Sequence, residues 1–341
     1  MSAPDPRANP ALFGHAGPQA MLAEALASGR MHHAWLITGP PGIGKATLAF
    51  RFARRLLAGL GEGDGLALPP ADPVFRRVAA ASHADLLTVE REWDPKRRRR
   101  RGEIVVDDVR RIAEFLRLTP AEGGWRVVVI DGAEDLNRNA ANALLKVLEE
   151  PPPRAVLLLV CAAPGRLLPT IRSRCRRLGL APLDAPAMDE ALATLLPETP
   201  PADRARLAAL AEGSPGRALQ LAASDGVAYA ELVAEVMGAP DGVGVLRAHA
   251  LADTLGRQED GFAIFLDLLR GALAASVRAA ARGRPPAPLI ARRPLDAWVD
   301  IWHALGALLD ETENLYLDKR HALVAGLDLL ASPPSRPMRE T

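Results

Sequence analysis

The feature that most constrains this chain is a short apolar run followed by a glycine-rich loop and a helix. Ala34–Thr38 reads AWLIT, as expected of a buried parallel strand. Gly39–Gly44 forms the loop, and apolar residues at helical spacing follow over Lys45–Ala58. Backbone N–H groups at the start of a helix bind phosphate because the helix dipole favours negative charge. The segment therefore predicts a phosphate-binding loop.

The loop keeps residues that would bind phosphate but lacks the usual metal ligand. The residues expected to contact phosphate are Gly39, Pro40, Gly42, Gly44 and Lys45. A loop of this type carries Ser or Thr after its lysine to hold Mg²⁺. Here that position is Ala46, and Thr47 is rotated by about 100° around the helix. The strand and the lysine argue against a plain glycine turn, but whether ATP with Mg²⁺ binds stays open.

A second acidic site is expected at the end of another buried strand. Trp125–Ile130 reads WRVVVI and is followed by Asp131, 86 residues beyond Lys45. In proteins with a phosphate-binding loop, an Asp at this place holds Mg²⁺. The alternative is a structural role for Asp131 at the start of the DGAED turn.

Strands and helices alternate along the first half of the chain. Further candidate strands are Asp85–Val89 and Ala155–Val160. Candidate helices cover residues 18–28, 108–118 with Asp107 as the cap, and 138–150 with Asn137 as the cap. Such alternation predicts a doubly wound parallel sheet with helices on both faces.

The pattern becomes helical after about residue 180. Three short helices are predicted over residues 186–223, and a long helical region runs from Tyr229 to Leu330 with one marked break at 281–288. We therefore predict three domains, which are residues 1–180, 181–225 and 226–341.

Composition excludes several classes of protein. The net charge of +1 gives no overall attraction to nucleic acid. Cys161 and Cys175 cannot form a four-ligand zinc site by themselves, and a disulfide framework is not expected, which fits a reducing cytoplasm. We expect both to be small buried apolar side chains. No apolar run reaches the roughly 18 residues of a membrane span.

Several segments carry a more specific pattern. They are NRNAANALLKVLEEPP at Asn137–Pro152, SRC at Ser173–Cys175, GSPGRAL at Gly213–Leu219 and ENLYLDKRHAL at Glu313–Leu323. Together and in this order they resemble the clamp-loader family of AAA+ proteins. The resemblance covers about residues 12–330.

The resemblance implies a fold and a set of partners. The fold is expected to be an α/β P-loop AAA+ core, followed by an all-α lid and an all-α collar. The partners are expected to be gamma/tau-like and delta-like subunits, in a cytoplasmic hetero-oligomer that uses ATP to load the sliding clamp onto primed DNA. Many relatives carry a four-cysteine zinc module, but Gly65–His83 contains no cysteine, so we predict no zinc.

The resemblance also assigns roles to two arginines. Arg174 is expected to be an arginine finger that reaches the ATP site of an adjacent subunit, and the alternative is an ordinary surface arginine. Arg217 would contact the γ-phosphate of bound ATP, or would be a surface residue of the lid. Because Arg172, Arg174 and Arg176 alternate, an extended chain would place all three on one side.

Two departures from the family pattern concern hydrolysis. Hydrolysing relatives carry Glu after the strand-end Asp to orient the attacking water, and here that residue is Gly132. Losing such a group costs about 10²–10⁴ in rate. Together with Ala46 this predicts a weak or inactive ATPase. The alternatives are a hydrolysing gamma-like motor and a small-molecule kinase.

Two charged features remain unassigned. Glu149 and Glu150 lie at the negative end of their predicted helix, which is locally unfavourable and suggests another constraint. The run Lys96–Arg101 reads KRRRRR and is expected to be a solvated hairpin loop, with DNA phosphates as the alternative partner.

Overall fold

The structure is a computed structural model that describes residues 4–59, 65–94, 99–122, 124–256, 260–315 and 317–331. These residues form two compact units, one ending at Arg217 and the other beginning at Ala218. Among the described residues, no helix combines the length and the apolar character needed to cross a membrane.

The first unit contains an α/β layer followed by short helices. Its strands are β1 (Ala34–Thr38), β2 (Leu86–Val89), β3 (Trp93–Asp94), β4 (Arg99–Arg100), β5 (Arg126–Asp131), β6 (Ala155–Cys161) and β7 (Arg176–Gly179). Its helices are α1 (Ala16–Ala27), α2 (Lys45–Ala58), α3 (Pro73–Ala79), α4 (Val106–Arg117), α5 (Arg138–Glu149), α6 (Pro169–Arg174), α7 (Ala185–Leu195) and α8 (Pro201–Ala211). Helix α9 (Pro215–Ala223) begins in this unit.

The main sheet is parallel, with strand order β2-β5-β6-β1-β7. Successive residues of β5 face opposite sides of it. Val127 and Val129 pack with α1 and α2 through residues such as Leu22. Val128 and Ile130 join the opposite core, to which α4 and α5 contribute. Both faces are therefore covered by helices, which confirms the predicted fold class and explains why the strands are apolar throughout.

Most element boundaries of the first unit agree with the sequence patterns to within one or two residues. Helix α1 begins two residues earlier than predicted, at Ala16. Asp107 is not the cap of α4 but lies in its first turn. The Asp108 carboxylate accepts a hydrogen bond from the Val105 N–H (3.0 Å) and so fixes the start of this helix.

The predicted hairpin is present at the basic run. Strands β3 and β4 pair antiparallel, and Trp93 faces Arg100. Arg100 and Arg101 form ion pairs with Glu90 and Glu92, at 3.0 and 3.1 Å. Lys96–Arg98 lies outside the described residues. Arg100 and Arg101 are thus neutralised by neighbouring carboxylates.

The second unit is helical, as predicted. Its helices are α10 (Gly226–Gly238), α11 (Val245–Leu255), α12 (Gly261–Ala281), α13 (Leu295–Leu315) and α14 (Lys319–Ala331). Helix α12 packs against α10 and α13, and α14 packs against α11. The buried Trp298 donates its indole N–H to Ile290 O (3.0 Å), which ties α13 to the preceding turn. The region has more breaks than the single one predicted at 281–288, including residues 239–244.

Candidate nucleotide site and arginine-bearing edge

The carboxyl ends of three neighbouring strands form one edge of the sheet. In the register, Thr38 of β1 lies beside Cys161 of β6, and Val160 lies beside Asp131 of β5. The glycine loop leaves β1 at this edge. The structure therefore brings the loop, Asp131 and Cys161 to the same edge of the sheet.

The loop offers backbone donors to an anion. Helix α2 begins at Lys45 behind Gly44, and no side chain caps it. The first N–H groups of such a helix have no partner within the helix. They are therefore available to phosphate oxygens, in the part of the helix where the dipole attracts negative charge.

Lys45 is held within the loop. Its ammonium group donates to Pro40 O (2.6 Å), and the residue is only 7% exposed. Burial lowers the pKa of Lys45, while the nearby carboxylates of Glu134 and Asp131 oppose this shift. The Lys45 ammonium group is therefore close enough to the carboxylates of Glu134 and Asp131 to interact with both electrostatically.

The metal-binding half of the site is incomplete. Ala46 has no side-chain oxygen, and the neighbouring Thr47 is buried in α2. Burial, with a contribution from Glu90, raises the pKa of Asp131 above its usual range, and Lys45 opposes the shift. Among the described residues, no group of three or more His, Cys, Asp or Glu side chains could hold a metal ion.

Glu134 is a member of the site that the sequence patterns did not identify. Its Oε1 accepts a hydrogen bond from the Ala162 N–H (2.8 Å), and its Oε2 is buried without a partner among the described residues. Burial and the hydrogen-bonded Glu134 raise the pKa of the Cys161 thiol to about 12, so the thiol stays protonated. Glu134 thus links the turn after Asp131 to the end of β6. Both cysteines are buried and free, as expected.

The start of α9 is hydrogen-bonded to the glycine loop. We call the contacts of Ser214 and Gly216 with Pro41 and Gly42 the clasp. The Ser214 hydroxyl donates to Pro41 O (2.9 Å), and the Gly216 N–H donates to Gly42 O (2.9 Å). Ser214 Oγ also accepts from the Arg217 N–H (3.2 Å), as an N-cap does. At Gly42, which has φ 74°, a Cβ atom would lie 2.5 Å from Ser214 Oγ. The close approach of these segments therefore requires glycine at this position.

We predict that Ser214→Ala lowers the free energy of unfolding by about 1–2 kcal/mol. The change removes an N-cap and leaves Pro41 O without its donor, and each loss costs about 1 kcal/mol. Chemical denaturation measures the effect. Ser224→Ala is the control, because its hydroxyl donates only to Gln220 O four residues earlier in an exposed position. Equal stabilities of the two variants would show that the clasp does not stabilise the fold.

Arg217 lies beside this clasp. Its Nη1 lies 3.6 Å from Glu212 Oε2, and its side chain is 22% exposed. The described structure places Arg217 three residues after Ser214, next to the loop. A contact with a γ-phosphate stays a prediction.

A cavity of about 410 Å³ lies next to Asp131. Its charged walls are largely paired: Arg7 lies 3.0 Å from Glu90, and Arg91 lies 3.1 Å from Asp135. Gly132 also lines it, at φ 82°, with Asp135 close by.

Arg174 lies at the end of a helix, which corrects one expectation. Pro169–Arg174 is helical because Pro169 stands at the first position of α6, so an extended segment with three arginines on one side was wrong. Arg176 instead stacks over Trp35 (4.9 Å to the ring centroid). Arg174 Nη1 donates to Thr170 O (3.0 Å), and its Nη2 lies 2.8 Å from Glu149 Oε1.

The ion pair accounts for the unusual position of Glu149. Glu149 is the last residue of α5, where the helix dipole disfavours a carboxylate by about 0.3–1 kcal/mol. The Glu149 and Arg174 side chains are 48% and 36% exposed, and pairs this exposed contribute about 0.2–1 kcal/mol. The unfavourable dipole energy of Glu149 and the favourable energy of its ion pair with Arg174 nearly cancel. The pair therefore contributes little to stability but fixes where the guanidinium lies.

The sequence of the first half matches a known family. The model of the DNA polymerase III delta subunit family matches residues 15–184, which contain the loop, Asp131 and Arg174. Residues 15–184 of the chain belong to this family. The match confirms the resemblance that the motifs indicated.

Individual relatives agree with a delta'-like member. The chain is 41% identical to the DNA polymerase III subunit delta' of Pseudomonas aeruginosa over 55% of each chain. It is 37% identical to the delta' subunit of Escherichia coli over 60% of this chain and 58% of the relative. The tau subunit of Escherichia coli is 33% identical over 64% of this chain and 34% of its own length. The chain thus spans little more than half the length of the delta' subunits that it matches.

A solved structure is also similar. It is a DNA polymerase III gamma subunit-related protein from Thermotoga maritima, which aligns over 91% of this chain and 98% of its own. The identity is 19% and the TM-score is 0.43.

Proposed function

We propose that the chain is a delta-prime-like subunit of a DNA polymerase III clamp loader. It hydrolyses ATP weakly or not at all and supplies Arg174 to the ATP site of a neighbouring subunit. The observation that carries this proposal is a contrast between the two edges of the parallel sheet: the glycine loop and Asp131 lie at the carboxyl ends of the strands, and Arg174 precedes the amino end of β7. The chain's own site lacks reactive oxygens at Ala46 and Gly132, whereas Arg174 is held, partly exposed, at the end of α6.

Nucleotide binding by the chain itself rests on the loop. The residues that would hold ATP are Gly39, Pro40, Gly42, Gly44, Lys45, Thr47, Asp131 and Arg217. The uncapped start of α2 and the buried Lys45 fit a phosphate group. Mg²⁺ fits poorly, because Ala46 offers no side-chain oxygen and Asp131 would be left to hold the ion. When bound, Mg²⁺ would neutralise charge on the phosphates.

The role of Arg174 follows from its chemistry. A guanidinium group is always charged and presents N–H donors in a planar fork that matches phosphate oxygens. Its position at a helix end leaves it 36% exposed, so another subunit can approach it. There it would stabilise the charge that develops on the transferring phosphoryl group.

The remaining assignments complete the proposal. Residues 1–180 would form the AAA+ core, 181–225 the lid and 226–341 the collar through which a cytoplasmic hetero-oligomer assembles. Its partners would be gamma/tau-like and delta-like subunits, and the complex would act on the sliding clamp and primed DNA. The helical second unit, from Ala218 onward, is consistent with a collar.

Reconstitution tests the proposal. We expect the full-length chain to co-purify with its cognate gamma/tau-like and delta-like subunits, and the complex to load clamps onto primed DNA only when the chain is present. The isolated chain should show little ATP hydrolysis. Efficient loading by a complex assembled without this chain would contradict the proposal.

A gamma-like motor is the second candidate, and Glu134 favours it. The Glu134 carboxylate lies near Lys45 and has an oxygen without a partner among the described residues. It could therefore orient water in place of the carboxylate that is missing at position 132. Single-turnover hydrolysis by the isolated chain distinguishes the two. Hydrolysis that requires Mg²⁺ and is lost in Glu134→Gln would support the motor.

A further inference from the structure

The contact between Glu149 and Arg174 joins the ends of two helices. Glu149 closes α5 and Arg174 closes α6, and the two helices pack together. One N–H of the Arg174 guanidinium donates to Thr170 O within its own helix, while Nη2 meets Glu149 Oε1. The group is therefore held from two directions.

The position of Glu149 suggests a role in orientation. A carboxylate is disfavoured at the end of a helix, and a pair this exposed returns little stability. Gln or Lys in its place would avoid the cost to α5. What the carboxylate does supply is a fixed second anchor for a long side chain that otherwise has many rotamers.

We propose that Glu149 is a positioning residue that holds the Arg174 guanidinium ready for a phosphate in the adjacent subunit. This inference rests on the proposed function of Arg174. Glu149 itself does not touch the nucleotide. It acts by lowering the conformational freedom that Arg174 loses when it engages the phosphoryl group.

The test uses Glu149→Gln in the reconstituted loader. We expect kcat for clamp-stimulated ATP hydrolysis at the site served by Arg174 to fall about 2- to 10-fold, the range expected for ordering one long side chain. The KM for ATP should be unchanged, because Glu149 does not contact ATP. Glu150→Gln is the matched control: it removes the same charge one residue later, from a residue that makes no ion pair among the described residues.

A double-mutant cycle shows whether Glu149 acts through Arg174. In an Arg174→Ala background, Glu149→Gln should have no further effect. An equal effect in both backgrounds, a loss matched by Glu150→Gln, or a faster rate in Glu149→Gln would each overturn the proposal while leaving the arginine finger intact. If Arg174→Ala alone changes nothing, the proposed function fails and this inference fails with it. The unfolding midpoint of Glu149→Gln should equal that of the unaltered chain, which separates positioning from folding.

Discussion

Arg174→Ala is expected to lower the rate of ATP hydrolysis at the neighbouring site by about 10³–10⁵, because arginine fingers contribute that much in P-loop enzymes. Clamp loading by the complex should fall with it. The chain itself should stay folded, since the exposed Glu149–Arg174 pair contributes little stability. Single-turnover hydrolysis in the reconstituted loader measures the chemical step, and thermal unfolding measures the fold.

Two variants sharpen the interpretation of that result. Arg174→Lys keeps the positive charge but loses the planar fork, so it should remain strongly impaired. Arg177→Ala removes an exposed arginine from β7, three residues later, and should leave the rate unchanged. A normal rate for Arg174→Ala would exclude the arginine finger, and equal losses in both alanine variants would indicate a general charge effect.

The parts of the fold that the sequence predicted are those governed by local patterns. Strand β1 and helix α2 have the predicted boundaries because the glycine loop clearly separates the continuous apolar run of the strand from the helical spacing of apolar residues in α2. Helix α5 begins where predicted because Asn137 caps it through the Ala140 N–H (2.9 Å). The phosphate loop and Asp131 lie at one edge because parallel strands align their carboxyl ends.

The features that the sequence did not reveal depend on residues far apart in the chain. Ser214 binds Pro41 across 173 positions, and Glu134 binds Ala162 across 28. Alternation of arginines wrongly predicted an extended segment, because a six-residue helix that starts with Pro169 gives no clear helical period. Local sequence patterns do not indicate which distant residues will contact each other, so these contacts became visible only in the structure.

At position 132 the backbone conformation, and not only the missing side chain, disfavours a water-orienting carboxylate. The φ of Gly132, 82°, lies in the left-handed region, which residues with a Cβ adopt at a cost. A Cβ atom there would lie 2.9 Å from Asp135 Oδ2. That carboxylate is paired with Arg91 Nε at 3.1 Å, so displacing it would disturb the pair.

We therefore predict that Gly132→Glu lowers the free energy of unfolding by about 1–3 kcal/mol and does not restore ATP hydrolysis. The left-handed conformation accounts for about 1–2 kcal/mol. Displacing Asp135 from Arg91 accounts for up to about 1 kcal/mol. Chemical denaturation and single-turnover hydrolysis by the isolated chain measure the two effects.

Gly165→Glu is the control for this substitution, because a Cβ atom there meets no atom within 4 Å and the site is exposed. Its stability should change by less than about 0.5 kcal/mol. Gly132→Ala carries the same Cβ atom without the carboxylate, so it should lose about as much stability, about 1–3 kcal/mol, and any further loss in Gly132→Glu comes from the added charge. If Gly132→Glu were as stable as the unaltered chain and hydrolysed ATP with Mg²⁺, the missing side chain alone, and not the backbone conformation, would account for the lack of hydrolysis. The turn after Asp131 would then be compatible with a motor subunit, and the contrast between an inert site and a donated arginine would no longer hold.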